Sequence, residues 1–373
     1  MKKLFLNLKN FILCFALKLK LSILNVKKED IILCFDCLYD ENQECIDAFS
    51  LFEQLKNRNI PAKYVALKDT CSKDKLSGMD DVIFVKNRWE FVFKYLNLLK
   101  ASKAILSSFG LLCGIDSVLK NANKNYIFIE HGVIFYTELV SKIYSKKNFN
   151  KILVPSKYTY ELYKINGFWN DEDMILSGLP RWDKFLTQQK QNSIFIFFTW
   201  RKAFLNNKNL INVYFKNIAS FLEVISDKIP AETKIMFAWH HEIYKNGFQL
   251  PKLPNRIELI KPQDFALNVS NSSLFITDHS SAFWDYFYQD KPVVFYNPIN
   301  VKVNNRIDNK IEETFFNFKS RIYNCFDDID NLIKKVSYYI NTGYDLEPEY
   351  RNINASFFFE KGNNCEKIID KIK

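Results

Sequence analysis

Glycine is scarce in this chain, nine residues of 373, so a glycine beside a polar motif points to a backbone position that a Cβ would spoil. Several signatures are missing altogether. There is no GxGxxG, no GxxxxGK[ST], no HExxH and no GxSxG, which argues against dinucleotide oxidoreductases, P-loop kinases and serine hydrolases. In the lysine-rich N-terminal segment the longest apolar run, Phe11 to Leu17, is interrupted by Lys18 and Lys20 and falls far short of the roughly 20 residues that cross a bilayer. No small-residue cleavage site follows a clean apolar core, so a secretory signal is not expected. Eight cysteines are spread along the chain, several inside apolar runs (Cys14, Cys34, Cys113); they read as reduced core residues in a cytoplasmic protein, not as a disulfide framework. Cys34 and Cys37 form one CxxC, but neither a second pair nor histidines follow at zinc-site spacing.

What is present is enough apolar residue, 48% of the chain, to bury the cores of two domains. The 35 Phe and 19 Tyr read as core, not as a carbohydrate-stacking surface. Of the formal charge of +10, seven belong to lysines in residues 1–28 (Lys2, Lys3, Lys9, Lys18, Lys20, Lys27, Lys28), where no acid occurs, leaving +3 for the remainder. Two readings of this segment stand open. It lies on an anionic membrane surface, where each lysine adds about 1 kcal/mol of attraction, or it packs on the domain as a basic extension. Lys9 and Lys18 project to opposite sides of a helix, which does not decide between them. No basic stripe interleaved with aromatics suggests a nucleic-acid partner.

From Asp30 onward, short β-rich runs alternate with helical patterns, the mark of a mostly parallel sheet covered by helices. Strands are expected near Ile31–Phe35, Lys63–Ala66, Val82–Val85, Ala104–Ser107, Tyr126–Glu130 and Ile152–Val154, with helices such as Glu44–Asn57 and Trp89–Leu99 between them. The polar stretch Phe185–Asn192 reads as a linker. A second alternation follows, with strands at Ser193–Thr199, Ile235–Trp239, Ile257–Leu259, Leu274–Thr277 and Val293–Tyr296. Its helices are expected at Leu210–Ser226, Gln263–Asn271 and Ser280–Tyr288. The expected architecture is α/β, two Rossmann-like lobes over residues 29–185 and 193–326 facing a cleft, with a helical tail over 327–373.

Each of the four histidines falls at or just after a predicted strand: His131, His240, His241 and His279. At strand ends an imidazole can serve as a general base, or simply be a satisfied structural group. His131 is followed by Gly132, and Gly178 lies in the turn Ser177-Gly178-Leu179-Pro180-Arg181; both suggest a backbone need. Thr199-Trp200-Arg201-Lys202 sets cations at a carboxyl edge, suited to a diphosphate. The densest segment is Ile276–Pro298. There Asp278, Ser280 and Ser281 precede a helix, so that hydroxyls and amides either cradle a phosphate or only cap the helix. Asp328-Ile329-Asp330 has a DxD form but reads as an N-cap cluster. No metal-ligand cluster is visible, so no cofactor is expected and a metal is not demanded.

The segment Thr277, Asp278, Ser280, Ser281, Asp285, Lys291, Pro292, Phe295 and Tyr296 resembles the signature of the CDP-glycerol glycerophosphotransferase family of teichoic-acid and capsule enzymes, with His279 where that family usually has tyrosine. Glu130-His131-Gly132, the Ser177-to-Asp183 element and Thr199-Trp200-Arg201 match further family elements in the same order, over about residues 125–300. At Trp239-His240-His241 the match loosens: Ala238 replaces a basic residue and His241 a proline. The resemblance implies a GT-B type fold with acceptor bound by the N-terminal lobe and nucleotide by the C-terminal one. It implies transfer of glycerol phosphate or a related polyol phosphate from a CDP-activated donor to a hydroxyl of a lipid-linked or oligosaccharide acceptor, with release of CMP. His131 and His240 would be catalytic; Arg181, Arg201, His241, Asp278, His279, Ser280, Ser281 and Asp285 would hold the donor phosphates. Two alternatives remain: a GT-B glycosyltransferase using a nucleotide sugar for capsule or lipopolysaccharide synthesis, and a family member that binds without turnover.

Overall fold

A computed structural model describes residues 2–38, 40, 46–111, 114–133, 145–188, 191–278, 280–298, 325–326 and 328–372. It divides into two compact units, Met1–Asp183 with Phe358–Lys373, and Lys184–Phe357. The helices expected after residue 327 are present at Ile329–Asn341, Pro348–Phe357 and Asn364–Asp370. They are shared between the units, so the last of them packs with the first unit.

The first unit is built on a seven-stranded sheet of order β3-β2-β1-β4-β5-β6-β7. Its strands are β1 (Ile32–Phe35), β2 (Ala62–Leu67), β3 (Val82–Val85), β4 (Ala104–Ser107), β5 (Tyr126–Phe128), β6 (Lys151–Val154) and β7 (Met174–Leu176). Every pairing is parallel, which explains why β1 and β4 read as continuous apolar runs: both faces are covered and all four residues of each are buried. The strand order reverses between β1 and β4, so the carboxyl ends of these neighbours open the usual ligand crevice of such sheets. The three-residue edge strand β7 was not foreseen, being too short to carry a period. The expected helix Trp89–Leu99 is two helices, Arg88–Lys94 and Leu96–Ala101, the first capped by the Asn87 side chain accepting from the amides of Trp89 and Glu90.

Residues 2–23 form a single helix, α1 (Lys2–Ile23). It is docked by Leu17 and Leu21, which are buried in the first core with Cys14 and Leu24 packed beside them. The Lys100 ammonium donates to the carbonyls of Leu21 (2.7 Å) and Leu24 (2.5 Å), a cation at the helix C-terminus where the dipole favours one. Leu8, Phe11, Ile12, Phe15, Leu19 and Ile23 are left 56–77% exposed. Helical spacing puts these six residues on one side of α1.

The second unit carries a six-stranded sheet of order β10-β9-β8-β11-β12-β13. The strands are β8 (Gln191–Phe197), β9 (Lys234–Ala238), β10 (Ile257–Ile260), β11 (Ser272–Thr277), β12 (Val293–Tyr296) and β13 (Cys325–Phe326), again paired in parallel. β8 ends two residues earlier than expected because the Thr199 amide turns to the Asp278 carboxylate. The helix expected from Ser280 spans Phe283–Tyr288. Before it lies a turn whose amides at Phe283 and Trp284 donate to the carbonyls of Ser280 and Ser281. As the sequence suggested, Asp328 caps its helix by accepting from the Asn331 amide.

Candidate active site

In the first unit, the carboxyl edge of the sheet carries His131, three residues beyond β5. Its ring stacks on Phe109 with centroids 4.4 Å apart and planes 19° apart, and it is hydrogen-bonded to the main chain of Ser108. Burial, assisted by the Arg181 guanidinium, lowers its pKa from 6.5 to about 4 against the Ser108 bond. At neutral pH His131 is therefore an uncharged imidazole, the protonation state a base requires. The preceding residue, Glu130, is fully buried. It accepts from the Tyr163 hydroxyl, its Oε2 has no partner, and burial pushes its carboxyl well above the usual range against the Tyr163 bond.

Arg181 belongs to this unit. It is buried and paired with Asp47, Nη1 to Oδ2 at 2.5 Å, while Nη2 donates to the His131 carbonyl at 3.1 Å. The turn that brings it there needs its glycine. A Cβ at Gly178 would lie 2.6 Å from Asn364 Oδ1 and 2.9 Å from Trp182 Cε3, because the Gly178 amide donates to that same Asn364 oxygen at 2.9 Å. Asp183 completes the turn by accepting from the amides of Asn364 and Cys365. The Ser177-to-Asp183 element thus clamps the C-terminal helix to the first sheet.

In the second unit, the carboxyl ends of β8, β9 and β11 gather Thr199, Arg201, His240 and Asp278. The Asp278 carboxylate accepts from the Thr199 amide and hydroxyl, each at 2.8 Å, and faces the Arg201 guanidinium at 3.8 Å with both side chains buried. Arg201 is thereby held as a positioned cation. His240 stacks on Phe197 at 5.7 Å, and its ring lies tilted against that of His241 at 4.3 Å. Its pKa is lowered to about 3 by burial and by His241, with Asp278 opposing. Its Nδ1 accepts from the Glu242 amide at 3.3 Å, capping the helix His241–Lys245. A neutral ring with Nδ1 as acceptor carries its proton on Nε2, so His240 offers a single N–H donor. His241 is partly exposed, with Nε2 3.8 Å from Glu242 Oε1.

Within the serine-pair segment, Ser280 is buried and its hydroxyl accepts from the Ala282 amide at 3.1 Å, while Ser281 is exposed. Asp285 is buried in the helix Phe283–Tyr288, and Lys291 is buried with Nζ bonded to the Ser270 carbonyl. His279 lies outside the described residues. Sequence reasoning passed over Phe109, Asp36, Asp47 and Thr199 as site residues. Asp36 could have been found as the polar residue directly after β1, at the switch point of the sheet.

Two parallel α/β units, each with a partly buried histidine at the carboxyl edge of its sheet, make a two-lobed architecture of the GT-B kind. The chain belongs to the CDP-Glycerol:Poly(glycerophosphate) glycerophosphotransferase family, whose model matches residues 20–373. It is 23% identical over 368 residues to the minor teichoic acid biosynthesis protein GgaB of Bacillus subtilis (strain 168), covering 89% of this chain and 38% of GgaB; the chain thus spans about two fifths of that relative. The wall teichoic acid polymerase TagF has the same fold, at TM-score 0.64 and 16% identity over 100% of this chain and 96% of TagF. A UDP-GlcNAc 2-epimerase from Methanocaldococcus jannaschii is more distant, at TM-score 0.54 and 12% identity over 91% of this chain and 98% of its own.

Proposed function

We propose that this chain transfers glycerol phosphate, or a related polyol phosphate, from a CDP-activated donor to a hydroxyl of a growing cell-surface glycopolymer, releasing CMP. Membership of the glycerophosphotransferase family supports the class of donor, and the placing of His131 at the edge of the first sheet, seated on Phe109 and held by Arg181, is the observation that carries the mechanism. The first unit serves the acceptor and the second the donor. His131 takes the proton of the acceptor hydroxyl as its oxygen forms a bond to the donor's β-phosphorus. The bond from that phosphorus to the bridging oxygen breaks, and CMP departs with the electron pair.

Such a transfer asks mainly for positioning and charge neutralisation. Arg201 supplies a buried cation held by Asp278, and the His240 Nε2–H donates to a phosphate oxygen without bringing charge. Ser281 and His241, both accessible, add donors to the diphosphate. His279, Ser280 and Asp285 complete the donor side of the reading, with Ser280 and Asp285 shaping the turn and helix that present Ser281.

No helix among the described residues is long and apolar enough to cross a membrane. We place the protein on the cytoplasmic face of the membrane, with α1 lying in the interface and the acceptor lipid-linked. Its exposed apolar side chains and the lysines of residues 1–28 support this, since buried apolar area and attraction to anionic lipid act together.

The test is nucleotide release with CDP-glycerol, CDP-ribitol and nucleotide sugars in the presence of lipid-linked acceptor, comparing the native chain with His131→Ala. Acceptor-dependent CMP from a CDP-polyol, lost in the variant, is the expected result. Release of nucleotide from a sugar donor alone would replace this reading with a glycosyltransferase.

A further inference from the structure

The start of one helix, α2 (Asp47–Asn57), reaches His131 by two separate routes. The first begins at Asp36, the residue after β1. Its buried carboxylate accepts five hydrogen bonds: from the amides of Ile46 (3.1 Å), Ala48 (3.0 Å) and Phe49 (3.2 Å), from the Tyr64 hydroxyl (2.7 Å) and from the Ser108 hydroxyl (2.5 Å). Asp36 therefore ties the entry of α2 to the turn after β4. That turn supplies both groups that seat the imidazole, the Ser108 main chain and the Phe109 ring.

The second route begins at Asp47, the first residue of α2. Its carboxylate holds Arg181, and Arg181 spends its other terminal nitrogen on the His131 carbonyl. A guanidinium can do this because its fork reaches two acceptors at fixed spacing, whereas an ammonium is a single point donor. One route fixes the ring and the other fixes the main chain that carries it. Five bonds on one carboxylate leave Asp36 no free acceptor directed at a ligand, and Arg181 is likewise committed.

We propose that Asp36 and the Asp47–Arg181 pair are positioning residues for His131, holding its ring and its main chain in the place from which it receives the acceptor's proton. The inference rests on His131 being the base, and it gives Arg181 a task other than phosphate binding. The titratable groups around His131 are Arg181, with Asp47 paired to it from the start of α2, Asp36 behind Ser108, and Glu130, the preceding residue, whose carboxyl is turned to Tyr163.

The test pairs kinetics with histidine-labelled NMR, which is tractable because the chain has four histidines and His131→Gln identifies the signal. Arg181→Lys keeps the charge beside Asp47 and removes the bond to the His131 carbonyl; Ser108→Ala removes only the link to Asp36. In each, kcat should fall by about tenfold or more while KM for donor and acceptor stays within about twofold, since sub-ångström misplacement acts on the transition state. The His131 ring signal should shift while those of the other three histidines stay in place. Should Arg181→Lys not fold, Asp47→Asn combined with Arg181→Gln leaves no unpaired buried charge and carries the same test. An unmoved His131 signal in both variants overturns the inference whatever happens to turnover. A displaced signal with unchanged kcat upholds the brace and instead removes His131 from the chemistry.

Discussion

Lowering the pH from about 7.5 to about 5.5 should leave kcat/KM for the CDP-polyol donor nearly unchanged. An ordinary histidine with a pKa of 6.5 would be only roughly one-tenth neutral at the lower pH, and a reaction that needs it as a base would slow by about tenfold. His131 differs because burial and the Arg181 guanidinium depress its pKa to about 4, so nearly all of it remains competent. His240, with a pKa of about 3, likewise keeps its neutral Nε2–H form throughout. The assay is acceptor-dependent CMP release at donor concentrations well below KM, which reports the ionisations of the free enzyme. The acid limb is expected near pH 4, and in Arg181→Lys, which keeps the charge, it should stay there even as kcat falls. An acid limb with its midpoint near 6.5 would refute the reasoning: His131 would be solvated, or another group would be the base.

The same depressed values govern stability. Both histidines bind a proton more readily unfolded than folded, so stability is full above about pH 6.5 and is lost as the pH falls toward the folded values; at 1.36 kcal/mol per unit, His131 alone accounts for about 3 kcal/mol by pH 4. Urea titrations should show this loss reduced in His131→Gln. Gly178→Ala should destabilise by about 1–3 kcal/mol, because the added methyl meets Asn364 and Trp182 in a packed turn, with the effect read from the denaturation midpoint. Asp278→Ala leaves Arg201 buried without its carboxylate and should cost about 3–5 kcal/mol, with a lower thermal midpoint and weaker donor binding. Phe11→Ser with Phe15→Ser, which spares the docked Leu17 and Leu21, should reduce sedimentation with anionic vesicles at unchanged thermal stability; equal sedimentation would remove α1 from the membrane.

The two sheets were legible because parallel strands are written as short, mostly apolar runs, and Val82–Val85, Ala104–Ser107 and Val293–Tyr296 match the expected strands at both ends. Short edge strands such as β7 carry no such run. The helix α1 was hidden because its apolar residues serve two faces, one packed on the core and one exposed, so no single stripe emerges. The histidines at strand ends stood out by type and place. Their partners did not: Asp36 and Ser108 are 72 residues apart, as distant in sequence as pairs brought together only by closing a parallel sheet, and nothing local marks them.

The motif residues divide by what they touch. Gly178 and Asp183 hold the C-terminal helix, Lys291 holds the Ser270 carbonyl, Ser280 caps a turn and Asp278 anchors the Thr199 corner. The spacing of these residues in this chain therefore records how the ends of its strands are built, which is a stricter demand than contact with a ligand. A ligand tolerates several donors at one position, whereas a Cβ at 2.6 Å from Asn364 tolerates none. Ala238 and His241, where the family pattern loosens, lie on the β9 end, whose His240 has its Nδ1 satisfied by the Glu242 amide. That corner is held by its own helix cap and so is free to vary without disturbing the scaffold. Variation in donor choice among chains of this fold should accordingly concentrate at the β9 end, and exchange of the partly exposed His241 for proline, which the first position of a helix accepts, should change donor preference while leaving the denaturation midpoint nearly in place.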